Sequence, residues 1–196
     1  RIPDDAVDPA YLPSLAIARR NAQTAFRVLS SNLHDFATGK LTIIKEEHDL
    51  HEIVHNAFDN VSIAARDKGI GFHYNGPEKA LLMADQKLIS VFDNLMRNAV
   101  TYSPADSGIQ CTITEAETEE PNDSYQVTIR NPANLTDDQV KAIFDRGLSY
   151  GDQEGTGYGL SNVQTLLDYH GGGAQAEMIG GHLTVDVIIP KESHRW

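Results

Sequence analysis

The sequence predicts an α+β fold in which helices cover one face of a mixed sheet, with a long separate helix in front of it. Segments with apolar residues every three or four positions occur between short segments in which every second residue is apolar, a mixture typical of such domains. Residues 9–38 carry an apolar helical stripe that has little sequence nearby to bury it. Glycine, proline and aspartate mark the boundaries between segments.

The long helix at residues 9–38 has Gly39 as its stop, and residues 40–48 read as an extended linker. A helix with an unburied apolar stripe usually packs against a partner helix, so we expect it to pair with a second copy of the chain. The domain boundary then falls near residue 45. We expect residues 1–45 to form one unit with its linker and residues 46–196 to form the α+β domain.

The domain after the linker has a regular order of predicted elements. These are a helix from Asp49 to Lys68, strands at 71–75 and 80–84 around a Gly76-Pro77 turn, a helix capped by Asp85 and ending at Tyr102, strands at 109–116 and 125–131, a short helix at 136–143, a helix at 160–170, and a strand pair at 173–178 and 182–189 that turns at Gly180-Gly181.

Charge and composition exclude several classes of function. The net charge of −12 argues against nucleic-acid binding and against docking on anionic lipid. No apolar run approaches the roughly 20 residues of a membrane span, so we expect no direct membrane contact. The single cysteine, Cys111, fits a buried thiol in a reducing compartment, which predicts a cytoplasmic location. Because the chain opens at Arg1 without a methionine, we expect it to be a piece of a longer protein.

The most informative stretch is Glu-Gly-Thr-Gly-Tyr-Gly-Leu at residues 154–160, directly before a predicted helix. Glycine lets the backbone approach a ligand closely, and a helix N-terminus offers free N–H groups with a partial positive charge. Together these features predict a phosphate-binding loop. A plain helix-entry loop is the alternative reading of the same glycines.

A second motif lies on the helix that ends at Tyr102. Asn94 and Asn98 are four residues apart and share one face, and amide oxygens suit Mg²⁺. The alternative is a pair of surface amides with local bonds. Tyr102 would cover a purine ring or pack in the core, and Asn131, which ends a strand, would pair with a purine or simply occupy a turn.

These residues carry a resemblance to a known family. DNLMRNAVTYS, then IFDRG, then EGTGYGLSNVQTLLDYHGG resemble the N box, phenylalanine box and second glycine box of sensor histidine kinases. The resemblance is to their catalytic, ATP-binding domain, whose Bergerat-type fold is a two-layer sandwich shared with gyrase, the heat-shock 90 chaperones and the MutL repair proteins. The upstream stretch RRNAQTAFRVLSSNLHDFATGKL is similar to the second helix of the family's dimerisation and phosphotransfer hairpin.

The resemblance implies a role for each matching residue. Asn98 would bind Mg²⁺, Asn94 would be its catalytic neighbour, and Tyr102 would flank the nucleotide. Residues 147–157 would form a mobile lid over ATP. The remaining cofactor-binding positions that it implies are Gly155, Thr156, Gly157, Gly159 and Leu160, which would contact the phosphates. Arg146 would donate a hydrogen bond to a phosphate or form a surface ion pair.

Two departures from the family pattern stand out. RNPANL replaces the first glycine box, so that Asn131 falls where the adenine-binding aspartate belongs and the glycines are absent. Thr101 occupies a position that is commonly basic in the family. Asparagine keeps a carbonyl acceptor but loses the negative charge. The departures leave room for a degenerate module that binds ATP weakly or not at all.

The resemblance implies an ATP-dependent protein histidine kinase. It would pass the γ-phosphoryl of ATP to a histidine outside this chain, for relay to the receiver domain of a response regulator, and it would form a homodimer through the 9–38 helix. The parent would be cytoplasmic or the cytoplasmic part of a membrane-anchored receptor. The alternative is a scaffold or phosphotransfer module that docks a response regulator. An ATPase of the gyrase or chaperone branch needs an acidic base where Asn94 stands, and Asp93 points about 100° away around the helix.

Overall fold

The computed structural model of the chain describes residues 44–116, 123–144 and 159–192. These belong to one compact unit that begins at Ile44. The predicted helix at 9–38 and the predicted lid at 147–157 lie outside the described residues. Among the residues that are described, no helix is long and apolar enough to cross a membrane.

Eleven elements make up the described part of the chain. In order they are β1 (Glu46–Asp49), α1 (Leu50–Asp67), β2 (Gly71–Asn75), β3 (Leu81–Ala84), α2 (Leu88–Tyr102), β4 (Gly108–Glu115), β5 (Ser124–Pro132), α3 (Asp137–Lys141), α4 (Gly159–Tyr169), β6 (Gly173–Ile179) and β7 (His182–Pro190).

The strands form a five-stranded mixed sheet and a small second sheet. The order of the large sheet is β2-β4-β5-β7-β6, with β2 and β4 parallel and the other neighbours antiparallel. The strands β1 and β3 pair with each other, antiparallel, in the small sheet. Because β2 and β3 enter different sheets, the turn at Gly76-Pro77 does not close a hairpin. The predicted α+β class with a mixed sheet is confirmed.

The helices form the second layer and share one core with the sheet. Helix α2 packs against α1, α4 and β5, so it is the central helix of this layer. Its buried side chains include Val91, Phe92, Leu95 and Met96, which join apolar residues of β4, β5 and β7 in the core. The burial of this apolar stripe fixes which face of α2 remains for polar side chains.

Helix α1 begins and ends as the sequence predicts. The carboxylate of Asp49 accepts hydrogen bonds from the backbone N–H groups of His51 (3.0 Å) and Ala80 (2.9 Å). It therefore caps the helix and also ties the loop before β3 to it. The helix ends at Lys68, and Gly69 follows with a φ of +67°.

The predicted cap of α2 is wrong. Its N-cap is Lys87, which makes no capping bond with its side chain, and Asp85 lies two residues further upstream. The Asp85 carboxylate accepts instead from the N–H groups of Lys87 (2.9 Å) and Ile44 (2.8 Å). One turn residue thus joins the start of α2 to the beginning of the described chain.

Two glycines in the loop after helix α4 have different structural roles. Gly171 has a φ of +72° and ends the helix. Gly172 donates its N–H to the Leu167 carbonyl at 2.9 Å and lies directly against the backbone of β7. A Cβ atom on Gly172 would overlap the carbonyl oxygen of Ile188, whereas a Cβ on the next residue, Gly173, would meet nothing within 4 Å.

We expect Gly172→Ala to destabilise the domain by about 1 to 3 kcal/mol, because the β7 backbone must shift to make room for a methyl group. The matched control is Gly173→Ala, which should change stability by no more than about 0.5 kcal/mol. Urea unfolding followed by circular dichroism measures both. Equal stability of the two variants would show that the contact between Gly172 and β7 does not constrain the domain.

Candidate functional site

The two asparagines of α2 lie at the edge of its buried stripe. Both Asn94 and Asn98 are half-buried. The side-chain amide of Asn94 donates to the Ser90 carbonyl oxygen one turn earlier, at 2.8 Å, which leaves its own carbonyl oxygen open. Within the described part of the chain, the Asn98 amide makes no hydrogen bond. The helix therefore presents two amide oxygens on one face, as predicted, and this donor chemistry fits Mg²⁺.

The acidic residue next to this pair faces another helix. Asp93 accepts a hydrogen bond from the Asn60 side chain of α1 at 3.0 Å. Burial raises the pKa of its carboxyl, although the Asn60 bond and the charge of Arg97 work in the opposite direction. Asp93 is the only acidic residue within α2. The asparagine face therefore receives no carboxylate from its own helix.

Asn131 lies at the end of β5, close to the end of α2. Its side-chain amide donates to the Ser103 hydroxyl oxygen (3.2 Å) and to the Pro132 carbonyl oxygen (3.1 Å). A carbonyl oxygen can only accept, so the group facing Pro132 must be the NH₂ of the amide. The orientation of Asn131 is thereby fixed, with its carbonyl oxygen as the group left to bind a ligand.

The last turn of α2 is held by a residue that the sequence analysis did not single out. The Lys68 ammonium, at the end of α1, donates to the carbonyl oxygens of Val100 (3.0 Å), Thr101 (2.6 Å) and Ser103 (3.5 Å). A cation at a helix C-terminus satisfies carbonyls that lack intrahelical partners. The sequence shows only a lysine before a glycine, with nothing to indicate the other helix as its target.

Thr101 and Tyr102, two residues that the sequence analysis considered, lie in the last turn of α2. The Thr101 carbonyl oxygen accepts a hydrogen bond from Lys68, so a positive charge lies near this position. The ammonium group of Lys68 is already bonded to backbone carbonyl oxygens. Tyr102 is half-buried as the final residue of the helix. The next residue, Ser103, is the hydrogen-bond partner of Asn131.

Helix α4 carries the described residues that were predicted to contact the phosphates. It begins at Gly159, the last of the alternating glycines, and Leu160 is half-buried against the core. The helix packs against α2, and its end lies at the start of α2. The predicted contacts Arg146, Gly155, Thr156 and Gly157 lie outside the described residues.

The histidine and acidic residues that the structure describes offer no competing metal site. Among residues 44–116, 123–144 and 159–192, no group of three histidine, cysteine or acidic side chains could hold a metal ion. The rings of His51 and His55 are 4.4 Å apart but pack against Tyr74. Burial and the neighbouring His51 lower the pKa of His55. This pair belongs to an aromatic cluster at the sheet edge.

Comparison with known proteins gives the family of this chain. Residues 83–193 match the family described as histidine kinase-, DNA gyrase B- and HSP90-like ATPases. The chain therefore belongs to this family. The relatives that it resembles include histidine kinases. It is 27% identical, over 180 residues, to hybrid signal transduction histidine kinase D of Dictyostelium discoideum. That match covers 86% of this chain but only 12% of the relative.

Solved structures of histidine kinases share the fold. The catalytic domain of the histidine kinase ThkA, in a nucleotide-free form, matches with a TM-score of 0.68 and 21% identity, over 76% of this chain and 97% of that chain. ThkA in complex with the response regulator protein TrrA matches with a TM-score of 0.65 and 19% identity, over 94% of this chain and 53% of that chain. At these identities the likeness shows the fold.

We expect Asp93→Asn to raise stability at about pH 7 and to leave nucleotide affinity unchanged. The raised pKa means that the folded state holds the proton more tightly than the unfolded chain, so ionisation lowers stability as the pH rises above the ordinary value of 3.8. The gain should vanish at about pH 3, where the carboxyl is protonated in both states. Thermal unfolding at both pH values measures it, and a loss of nucleotide binding would instead assign Asp93 to the site.

Proposed function

We propose that the chain is the catalytic region of a sensor histidine kinase. It binds Mg²⁺ and ATP between α2, the end of β5 and the start of α4, and it passes the γ-phosphoryl group to a histidine outside this chain. One observation carries the proposal: α2 presents the open oxygens of Asn94 and Asn98 beside a helix that begins at the alternating glycines. We therefore expect two sources of phosphate-binding chemistry, from distant parts of the sequence, to act on one ligand.

The metal and phosphate contacts follow from the donor set. We assign Asn98 as the Mg²⁺ ligand, and Asn94 as the catalytic neighbour that holds a water or a phosphate oxygen. A bound Mg²⁺ would neutralise charge on the phosphates. Gly159 and Leu160 would offer backbone N–H groups at the helix start. We propose that Arg146 and the stretch Gly155, Thr156, Gly157 complete this side.

The purine end depends on Asn131 and Tyr102. With its NH₂ occupied by Ser103 and Pro132, Asn131 can act toward a ligand only as an acceptor. An acceptor suits the 6-amino group of adenine and repels the 6-oxo group of inosine or guanine. Tyr102 would flank the ring. The neutral amide thus retains the hydrogen-bonding part of the aspartate that this family uses, without its charge.

Helix α2 contributes no carboxylate of its own to the asparagine face, which favours transfer over hydrolysis. Hydrolysis by the gyrase or chaperone type of enzyme requires an acidic base to activate water. Asp93, the acid of α2, is bonded to Asn60 of α1. Phosphoryl transfer to a histidine needs chiefly positioning and charge neutralisation, which amides, backbone N–H groups and Mg²⁺ supply.

Several features of the whole protein are part of the same proposal. Residues 1–45 would form the second helix of a dimerisation hairpin plus linker, pairing with a second copy through 9–38, and residues 46–196 the catalytic domain. A response regulator receiver domain would take the phosphoryl group, as the ThkA complex with a response regulator suggests by analogy. We expect a cytoplasmic location, with or without a membrane anchor elsewhere in the protein.

The altered first glycine box favours a second candidate, a scaffold that docks a response regulator without using ATP. RNPANL offers no glycines, and Pro132 restricts the backbone beside Asn131. Among the described residues the carbonyl oxygen of Asn131 has no hydrogen-bond partner, and an acceptor at this position supports the kinase proposal.

We expect Asn98→Ala to weaken ADP binding by about tenfold or more when Mg²⁺ is present, because the metal loses a protein oxygen ligand. With excess EDTA the variant and the wild type should bind ADP equally. Asn98→Asp is the matched control, since it keeps an oxygen at the same place and should retain the Mg²⁺ dependence. Isothermal titration calorimetry measures all three proteins. An undiminished affinity of Asn98→Ala in Mg²⁺ would remove the metal assignment.

We expect the wild type to bind ADP about tenfold or more tightly than IDP, which differs from ADP by a 6-oxo group. Asn131→Ala should weaken ADP binding while leaving IDP binding nearly unchanged, so that the ratio of the two affinities falls toward one. The ratio does not depend on the fraction of folded protein. Asn134→Ala, an exposed loop asparagine three residues later, is the control. A ratio unaffected by Asn131→Ala would show that another residue reads the purine.

A further inference from the structure

One buried histidine has no part in the site described above. His170 directly follows α4, and only 1% of its surface is exposed. Its Nδ1 atom is 2.7 Å from the Leu166 carbonyl oxygen, and its Nε2 atom is 3.1 Å from the backbone nitrogen of Asp85. The ring therefore bridges the end of α4 and the turn that precedes α2, two places 85 positions apart in the sequence.

The two partners fix the protonation state of this ring. The backbone N–H of Asp85 can only donate, so Nε2 of His170 must accept and carries no proton. The proton then lies on Nδ1, which donates to the Leu166 carbonyl. That carbonyl lacks a helical partner, because the His170 N–H bonds to Leu167 instead, at 2.9 Å. The imidazole is thus neutral, and both of its nitrogens are engaged.

Asp85 extends this connection beyond the two helices. While its backbone N–H reaches His170, its carboxylate accepts from the N–H groups of Lys87 and Ile44, and the Lys87 ammonium lies 3.8 Å away. Asp85 and Lys87 are both almost fully buried. The unit formed by Asp85 and His170 therefore joins three segments: the chain that enters at Ile44, the start of α2 and the end of α4.

We infer that His170 is a positioning residue for nucleotide binding, which acts by fixing α4 relative to α2 through the Asp85 N–H. This inference rests on the proposed function, because α2 carries Asn94 and Asn98 whereas α4 begins at the phosphate-binding glycines. The hydrogen bond to Asp85 is a polar link between the two helices at the end opposite Gly159. In this proposal it sets the angle at which α4 meets α2.

The length of α4 explains why a distant contact matters at the phosphates. The helix has 11 residues and is about 16 Å long. A tilt that moves its end by a small distance also moves its start, where the backbone must meet the phosphate oxygens. Misplacement of reacting groups by about 1 Å can cost on the order of a hundredfold in rate. The loss of the acceptor at Nε2 should therefore weaken phosphate contacts without touching them.

Two substitutions separate the two hydrogen bonds of the ring. In His170→Gln the side-chain oxygen can reach the position of Nε2 and accept from Asp85. In His170→Asn the shorter amide can reach the position of Nδ1 and donate to Leu166, but it cannot reach Asp85. Isothermal titration with ADP and Mg²⁺, at a temperature where every variant is fully folded, measures the effect. We expect about tenfold weaker binding for His170→Asn and near wild-type binding for His170→Gln.

Controls distinguish positioning from stability and from failure of the proposed function. Val54→Ala truncates a buried side chain of α1 away from α4, and it should lower the unfolding temperature while ADP affinity stays unchanged. Hydrogen exchange at the Asp85 amide should be faster in His170→Asn but not in His170→Gln. Equal ADP affinity of wild type, His170→Asn and His170→Gln would overturn the inference and leave the proposed function standing. No ADP binding by the wild type would overturn both.

Discussion

The placement of α2 is the constraint on which the rest of this domain depends. Its apolar stripe is buried between the sheet and two other helices, and side chains from other elements hold both of its ends. Lys68 from α1 occupies the free carbonyls of the last turn, and the unit of Asp85 and His170 joins the first turn to α4. With its rotation and its ends fixed, the helix has one polar face left, and Asn94 and Asn98 lie on it.

The chemistry of the site follows from what this face contains and what it excludes. It offers amide oxygens without a carboxylate from α2, because Asp93 of this helix is bonded to Asn60 of α1. The net charge of −12 does not attract a negatively charged polyphosphate over long range. Binding must rely on a metal ion, on backbone N–H groups at a helix start and on oriented amides such as Asn131. All three are local and directional, so small shifts between elements affect them strongly.

Much of this organisation could be predicted from the sequence because its causes are local. The period of apolar residues predicted the helices and strands, a glycine after Lys68 predicted the end of α1, and the spacing of Asn94 and Asn98 predicted their shared face. The prediction that Asp85 caps α2 was wrong for a physical reason. An aspartate before a helical pattern looks like a cap, but its carboxylate had partners in Ile44 and Lys87 that periodicity cannot reveal.

By itself, the sequence determined the order of elements from α1 onward, the two-layer class of the domain and the two motifs that bind the nucleotide in the proposed function. Strand β1 (Glu46–Asp49) lies in a stretch that the sequence indicated only as a linker. Tertiary structure alone decided which buried polar groups became partners: Lys68 with the end of α2, Ser103 with Asn131, and His170 with Asp85. Such groups must find partners when they lose water, and the partner is whichever group the packed backbone brings within about 3 Å. That choice depends on how distant elements pack, which no local pattern of residues records.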